Sequence, residues 1–131
     1  MSNHYIDTVL HHFLDPLNVG VIVDPDGTGT VGDMACGDTM VMTIRVQDDH
    51  LADIKYQVFG CAAAIATCSA VSEMAMGKAV AEVLAITEDD IIRYLGELPD
   101  TKRHCSAGAA AALHNAIIDY QKRTGRDASI A

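Results

Sequence analysis

The sequence predicts an α+β domain in which helices cover one face of a small β-sheet. Two segments in the middle of the chain alternate apolar and polar residues with a period of two, which is typical of half-buried strands. The segments before and after them repeat their apolar residues with helical spacing. The order helix, strands, helices favours the α+β class.

The N-terminal third is predicted to form one helix, one short strand and a loop. Residues 3–14 form the helix, and Pro16 ends it. Its apolar residues recur at i, i+3, i+4 and i+7: Ile6, Val9, Leu10 and Phe13. The apolar run 19–23 is predicted as an edge strand. Residues 24–33 are rich in glycine and aspartate, which predicts a flexible loop.

The two alternating segments are predicted to pair as an antiparallel hairpin. Residues 39–47 form the first strand, with its apolar face at Met40, Met42, Ile44 and Val46. Residues 48–50 form the turn. The second strand presents Ile54, Tyr56 and Val58 on one face. The short connection requires the two strands to run antiparallel.

The remainder of the chain is predicted to be helical. An Ala-rich helix covers residues 62–76 and ends at Gly77, and a short helix follows at 80–85. A capping-box sequence at Thr87 opens a helix that ends at Gly96. The longest predicted helix covers residues 106–123, with basic residues at its C-terminal end.

Length and charge restrict the possible functions. The 131 residues are predicted to form a single domain, 1–131, with short flexible ends at about 1–3 and 125–131. The net charge of −9 argues against binding to a nucleic-acid backbone. No apolar run approaches the roughly 18 residues of a membrane helix, and the N-terminus lacks the pattern of a signal peptide. We therefore expect a cytoplasmic protein with reduced thiols and no membrane partner.

Three of the four cysteines stand at predicted loop or helix-start positions. Cys36 precedes Gly37-Asp38, Cys61 follows Gly60, and Cys105 follows His104. A helix N-terminus stabilises a thiolate, which is the form that binds metal or carries sulfur. The residues together favour a shared metal or sulfur site.

Each of these residues also has a structural interpretation. The cysteines can be buried structural thiols, Asp38 a turn carboxylate, and His104 a helix cap. Cys68 is predicted to be a small buried side chain, because it lies seven residues, or roughly 10.5 Å, beyond Cys61 along a helix. The other histidines lack such neighbours and are interpreted as surface or packing residues: His4, His11, His12, His50 and His114.

The sequence around these cysteines resembles the iron–sulfur cluster scaffolds of the IscU type and the N-terminal scaffold domain of NifU. The matching segments are Ala35-Cys36-Gly37-Asp38, Phe59-Gly60-Cys61-Ala62 and Lys102-Arg103-His104-Cys105-Ser106. Asn18-Val19-Gly20 and the segment 116–120 agree with the same family, so the resemblance extends over about residues 3–124.

The resemblance implies a three-stranded antiparallel sheet and a transient 2Fe–2S cluster near the tip of the domain. It implies that Cys36, Cys61 and Cys105 are cluster ligands, with Asp38 or His104 as the fourth, and that Asp38 makes the cluster labile. Cys105 would accept persulfide sulfur from an IscS- or NifS-like cysteine desulfurase. The cluster would then pass to acceptor apoproteins, and the scaffold itself would not be an enzyme.

Two comparisons within the family leave alternatives open. SufU relatives act as zinc-dependent sulfur acceptors, carry an insertion between the second and third ligand cysteines and lack the histidine. Here Cys105 lies 44 positions after Cys61 without an evident insertion, and His104 is present, which favours the IscU branch. The purified protein is nevertheless expected to be able to carry zinc. The chaperone-recognition segment of the family reads Leu98-Pro99-Asp100-Thr101-Lys102 here, a departure that leaves chaperone binding open. A monomer and a cluster-linked dimer are both compatible with the sequence.

Overall fold

The computed structural model describes residues 7–33, 38–96, 98 and 103–125. Those ranges contain five helices and three strands. The strands are β1 (Gly27–Asp33), β2 (Asp38–Gln47) and β3 (His50–Phe59). The helices are α1 (Asp7–Leu14), α2 (Ala62–Ala75), α3 (Val80–Leu84), α4 (Glu88–Leu95) and α5 (Arg103–Thr124).

The three strands form one antiparallel sheet in the order β1-β2-β3, which confirms the predicted fold class. Only two residues, Asp48 and Asp49, connect β2 to β3, and both have positive φ (53° and 62°), as a tight hairpin turn requires. His50 was predicted as part of the turn but already belongs to β3. The hairpin registers Met42 opposite Tyr56.

One face of the sheet packs against α2 and α5. The side chains on that face are almost completely buried: Met40, Met42, Ile44, Ile54 and Tyr56. The other helices complete this layer, with α1 and α4 against α2, and α3 and α4 against α5. The period-two pattern of the sequence therefore identified the buried face of the hairpin correctly.

Strand β1 occupies the segment that was predicted to be a flexible glycine loop, and that prediction is wrong. Its glycines serve the packing of α5 rather than chain flexibility. A Cβ atom at Gly29 would collide with the backbone of α5 at Ala112, and one at Gly27 would collide with it at Ala116. Asp119 of α5 accepts a hydrogen bond from the backbone N–H of Thr28 (2.8 Å). The helix thus lies directly on the strand.

The predicted edge strand at residues 19–23 is also absent. Val19 makes one isolated parallel bridge to Tyr56 at the free edge of β3. The chain then crosses the face of the sheet opposite the helices, where the backbone N–H of Ile22 donates to Thr43 Oγ1 (3.0 Å). Positive φ values at Asn18 (62°) and Asp24 (57°) interrupt the extended conformation at both ends of this segment.

The helices follow their sequence signals more closely. Thr87 caps α4 through a reciprocal capping box with Asp90, as predicted. Helix α1 is described from Asp7, and residues 3–6 of the predicted helix lie outside the described residues. The predicted flexible ends also lie outside them, apart from Gly125. In the described part of the chain, no helix has the length and apolar character needed to cross a membrane.

Candidate metal and sulfur site

Cys61 lies at the junction between the sheet and α2. It is the N-cap residue of α2, with extended backbone angles (φ −79°, ψ 172°), and its side chain is half-buried. Phe59, two residues earlier, pairs with Thr39 at the start of β2. Cys61 therefore lies beyond the same end of the sheet at which β2 begins.

Cys105 approaches this junction from α5. That helix begins at Arg103, three residues earlier than predicted, so His104 and Cys105 both lie in its first turn. The Sγ atoms of Cys61 and Cys105 are 3.8 Å apart, although the residues are 44 positions apart in sequence. This separation is far longer than the S–S bond of about 2 Å in a disulfide.

The distance between the two sulfurs suits chelation of one metal ion. A tetrahedral ion with metal–sulfur bonds of about 2.3 Å holds two thiolates roughly 3.8 Å apart. Neither α2 nor the described part of α5 carries an acidic residue in its first turn. Cys61, as the N-cap residue of α2, lies at the positive end of that helix dipole, which stabilises a thiolate.

His104 supplies a third candidate ligand next to this pair. Its Nε2 atom lies 3.6 Å from Cys105 Sγ, and its side chain is half-buried. Within the described residues, no group of three or more His, Cys, Asp or Glu side chains is arranged to hold a metal ion. The described residues therefore supply a thiol pair with an adjoining imidazole, and a four-coordinate site requires further ligands.

Two further predicted ligands, Asp38 and Cys36, belong to the segment that connects β1 to β2 or to its edge. Asp38 is the first residue of β2 and the Cα partner of Asp33; its side chain lies outside the described part. Cys36 lies outside the described residues altogether. Because β1 ends at Asp33 and β2 begins at Asp38, the chain leaves and re-enters the sheet at the end where Cys61 lies.

Cys68 does not join the pair. It is completely buried in α2 as part of the hydrophobic core, which confirms the prediction of a small buried side chain. Among the other histidines, His11 and His50 are exposed and His114 is half-buried. His12 is buried, and its Nδ1 atom pairs with Ser69 Oγ (2.8 Å), so it packs α1 onto α2.

Thr67 contacts the site, although the sequence analysis did not single it out. Its hydroxyl lies 3.4 Å from the backbone carbonyl oxygen of Cys105. The available signal was a hydroxyl on the Ala-rich helix α2, which also carries Ser69 and Ser72. Periodicity does not show which helix such a residue faces.

The chain belongs to a known family, which is that of the NifU-like N terminal domain. The family model matches residues 4–127.

Two relatives illustrate the similarity. The chain is 53% identical over 122 residues to iron-sulfur cluster assembly scaffold protein IscU 1 of Archaeoglobus fulgidus, covering 93% of this chain and 80% of that protein. It is 44% identical over 128 residues to iron-sulfur cluster assembly scaffold protein IscU of Aquifex aeolicus, covering 96% of this chain and 82% of that protein.

Solved structures show the same fold. A NifU-like protein (N-terminal) from Brucella abortus aligns with a TM-score of 0.77 at 18% identity, covering 92% of this chain and 96% of the other. FiSufU from Fervidobacterium islandicum AW-1 aligns with a TM-score of 0.73 at 19% identity, covering 88% and 99% of the two chains. At these identities the likeness concerns the fold alone.

Proposed function

We propose that this protein is a scaffold on which an iron–sulfur cluster is assembled as cargo and then released. The observation that carries the proposal is the pair of thiols at 3.8 Å, held by the start of α2 and the first turn of α5. The relatives named as cluster assembly scaffolds, at 53% and 44% identity, support it.

The ligands of the proposed site are three thiolates and one harder group. Cys61 and Cys105 bind one iron of a 2Fe–2S cluster, and Cys36 binds the other. Asp38 or His104 completes the set. A carboxylate or imidazole binds more weakly than a thiolate and is protonated more readily, so this fourth position favours release. A scaffold requires such lability.

Sulfur is supplied by a cysteine desulfurase of the IscS or NifS type. The thiolate of Cys105 attacks the outer sulfur of the persulfide on that enzyme. The enzyme's S–S bond breaks, its cysteine leaves as a thiolate, and a persulfide forms on Cys105. Conversion of each transferred sulfur to sulfide takes two electrons, which a separate reductant supplies. The protein itself turns over no substrate and is therefore a carrier rather than an enzyme.

Reconstitution of substituted proteins tests the ligand set. Anaerobic loading with iron and sulfide should give the wild type a visible 2Fe–2S absorption spectrum with matching iron and acid-labile sulfide. Cys36→Ala, Cys61→Ala and Cys105→Ala should each lose most of both. Cys68→Ala is the matched control, because it removes a completely buried thiol that lies seven residues beyond Cys61 along α2, or roughly 10.5 Å. Full spectra in all three ligand variants would contradict the proposal.

The role of Asp38 is tested by release rather than by loading. Asp38→Ala should retain the cluster and transfer it to an acceptor apoprotein more slowly than the wild type does. Cluster content and transfer rate are measured in the same way for His104→Ala. Whichever of the two substitutions changes these quantities identifies the fourth ligand. Transfer from Asp38→Ala at the wild-type rate would remove this residue from the release step.

Zinc is the second candidate for the same ligands, because the sulfur separation also suits a tetrahedral zinc ion. In that case the protein would be a zinc-dependent sulfur acceptor of the SufU kind. Zinc in the purified protein would not distinguish the two functions. Zinc-dependent acceleration of a desulfurase, with persulfide on one cysteine and no cluster formed under any condition, would favour the second.

The proposed setting is the cytoplasm, where the thiols stay reduced. The proposed partners are the desulfurase and the acceptor apoproteins, without nucleic acid or membrane. In the segment that the family uses for chaperone recognition, Leu98 is buried, and residues 99–102 lie outside the described residues. Sedimentation of the apo and loaded forms distinguishes a monomer from a cluster-linked dimer.

A further inference from the structure

Thr67 connects the two helices that carry the thiol pair. Its side chain is completely buried in α2. The hydroxyl oxygen lies 3.0 Å from the carbonyl oxygen of Ala64 in its own helix and 3.4 Å from that of Cys105 in α5. A hydroxyl donates a single proton, so the two carbonyls share it.

Helices α2 and α5 pack against each other, and most of the side chains that they bury are small. Nine alanines on these two helices are buried: Ala63, Ala64, Ala66, Ala70, Ala75, Ala109, Ala110, Ala112 and Ala116. Small side chains interlock less deeply than large ones, so individual directional contacts contribute more to the position of one helix along the other. Thr67 contacts the backbone carbonyl of Cys105, so it restrains the position of the residue that carries one of the two thiols.

Chelation by two thiols depends on their separation. A change of a few tenths of an ångström in the position of the first turn of α5 changes the distance between the two Sγ atoms by a similar amount. At the α2 end, the carbonyl of Cys61 accepts the first helical hydrogen bond from Ile65 N (3.2 Å), which ties Cys61 to the same helix as Thr67. The positions of both sulfur atoms therefore depend on contacts with α2: Cys61 through its own helical hydrogen bond, and Cys105 through Thr67.

We propose that Thr67 is a positioning residue that sets the distance between the thiols of Cys61 and Cys105. This inference rests on the proposed function only in that the pair is taken as the ligand pair. Loss of the hydroxyl weakens two-thiol binding of a thiophilic probe, and it alters the environment of a bound cluster without removing any ligand.

The test uses phenylarsine oxide, a trivalent arsenical that bonds two neighbouring thiols. All variants carry Cys36→Ser, so that Cys61 and Cys105 form the binding pair. The dissociation constant is measured by competition with 2,3-dimercaptopropanol. Thr67→Val keeps the branched shape and removes the hydroxyl. It should bind measurably more weakly, by at most about fivefold, because the full value of one neutral hydrogen bond is the upper limit of what positioning the pair contributes. Thr67→Ser restores the hydroxyl and should return to within about twofold of the parent.

Ser72→Ala is the matched control. Ser72 is also a buried hydroxyl of α2 that donates to the carbonyl three residues earlier (Ser69 O, 2.7 Å). It accepts a hydrogen bond from Asn18 Nδ2 (2.9 Å), and neither of these partners belongs to α5. It should bind the arsenical as the parent does. Equal affinity in Thr67→Val and the parent, an equal loss in Ser72→Ala, or no recovery in Thr67→Ser would each overturn the inference. If Thr67→Val does not fold, Thr67→Ala replaces it with the same expectation.

A second measurement separates this inference from the proposed function. After reconstitution with all cysteines present, the visible circular dichroism of Thr67→Val should differ from that of the wild type, and Thr67→Ser should restore it. If the wild type forms no cluster at all, the proposed function fails, while the arsenical measurement still decides the role of Thr67. An unchanged spectrum in a loaded Thr67→Val protein would contradict the role at the cluster.

Discussion

Replacement of Gly29 by alanine should strongly destabilise the fold, because α5 lies against this residue. A Cβ atom at position 29 would stand 2.5 Å from the backbone nitrogen of Ala116 and collide with the carbonyl of Ala112. These atoms belong to a helix backbone and cannot rotate away. The backbone angles of Gly29 are not in the left-handed region, so the cost comes from space alone.

The expected magnitude follows from the displacement. Relief of the collision requires α5 to withdraw from β1 by about 1 Å, and a gap of that size forfeits up to about half of the dispersion energy of the contacts it opens. We expect a loss of about 3 kcal/mol in the free energy of unfolding, at the upper end of the range for overpacked cores. For a domain of this size, that corresponds to a decrease in Tm of about 10 °C.

Urea unfolding followed by far-ultraviolet circular dichroism measures this change. Gly32→Ala is the control, because a Cβ at Gly32, in the same strand, meets no atom within 4 Å. It should change the free energy of unfolding by less than about 0.5 kcal/mol. If Gly29→Ala and Gly32→Ala unfold at the same urea concentration, the close approach of α5 to β1 is refuted.

Three further substitutions test other contacts. Burial lowers the pKa of His12, and the nearby Glu73 only partly opposes it; the unfolded chain therefore binds more protons on acidification. The free energy of unfolding should fall between about pH 7.5 and about pH 5.5, and it should fall less in His12→Gln, as urea titrations at both pH values will show. Thr87→Ala removes the reciprocal cap with Asp90 and should cost about 1 kcal/mol, measured as a lower Tm. Among the described residues, the buried Oγ of Ser106 has no hydrogen-bond partner. Ser106→Ala should therefore leave the stability unchanged or raise it by up to about 1 kcal/mol in the same assay. A clearly lower Tm would contradict this.

The elements that the sequence predicted well are those whose signals are local. The hairpin of β2 and β3 alternates apolar and polar residues in sequence, so its pattern is present within a short window. The capping box at Thr87 is likewise contained within four consecutive residues. Such signals need no knowledge of distant segments.

The errors arose where a distant segment decides the local structure. Gly27 and Gly29 have the composition of a loop, yet they form a strand because α5, about 90 residues later, packs on them. The valines at 19–23 have the composition of a strand, yet that segment crosses the outer face and leaves Val23 86% exposed. Composition indicates which secondary structure a segment favours by itself, and in both cases packing against distant segments outweighed that preference.

The sequence by itself determined the fold class, the buried face of the hairpin, and three cysteine-containing segments that resemble a known family. Only the tertiary structure decided that the thiols of Cys61 and Cys105 lie 3.8 Å apart and that Thr67 reaches the backbone of Cys105. The physical reason is the range of the interactions. Periodicity and capping act over a few residues, whereas the distance between two sulfurs 44 positions apart depends on how two whole helices pack together.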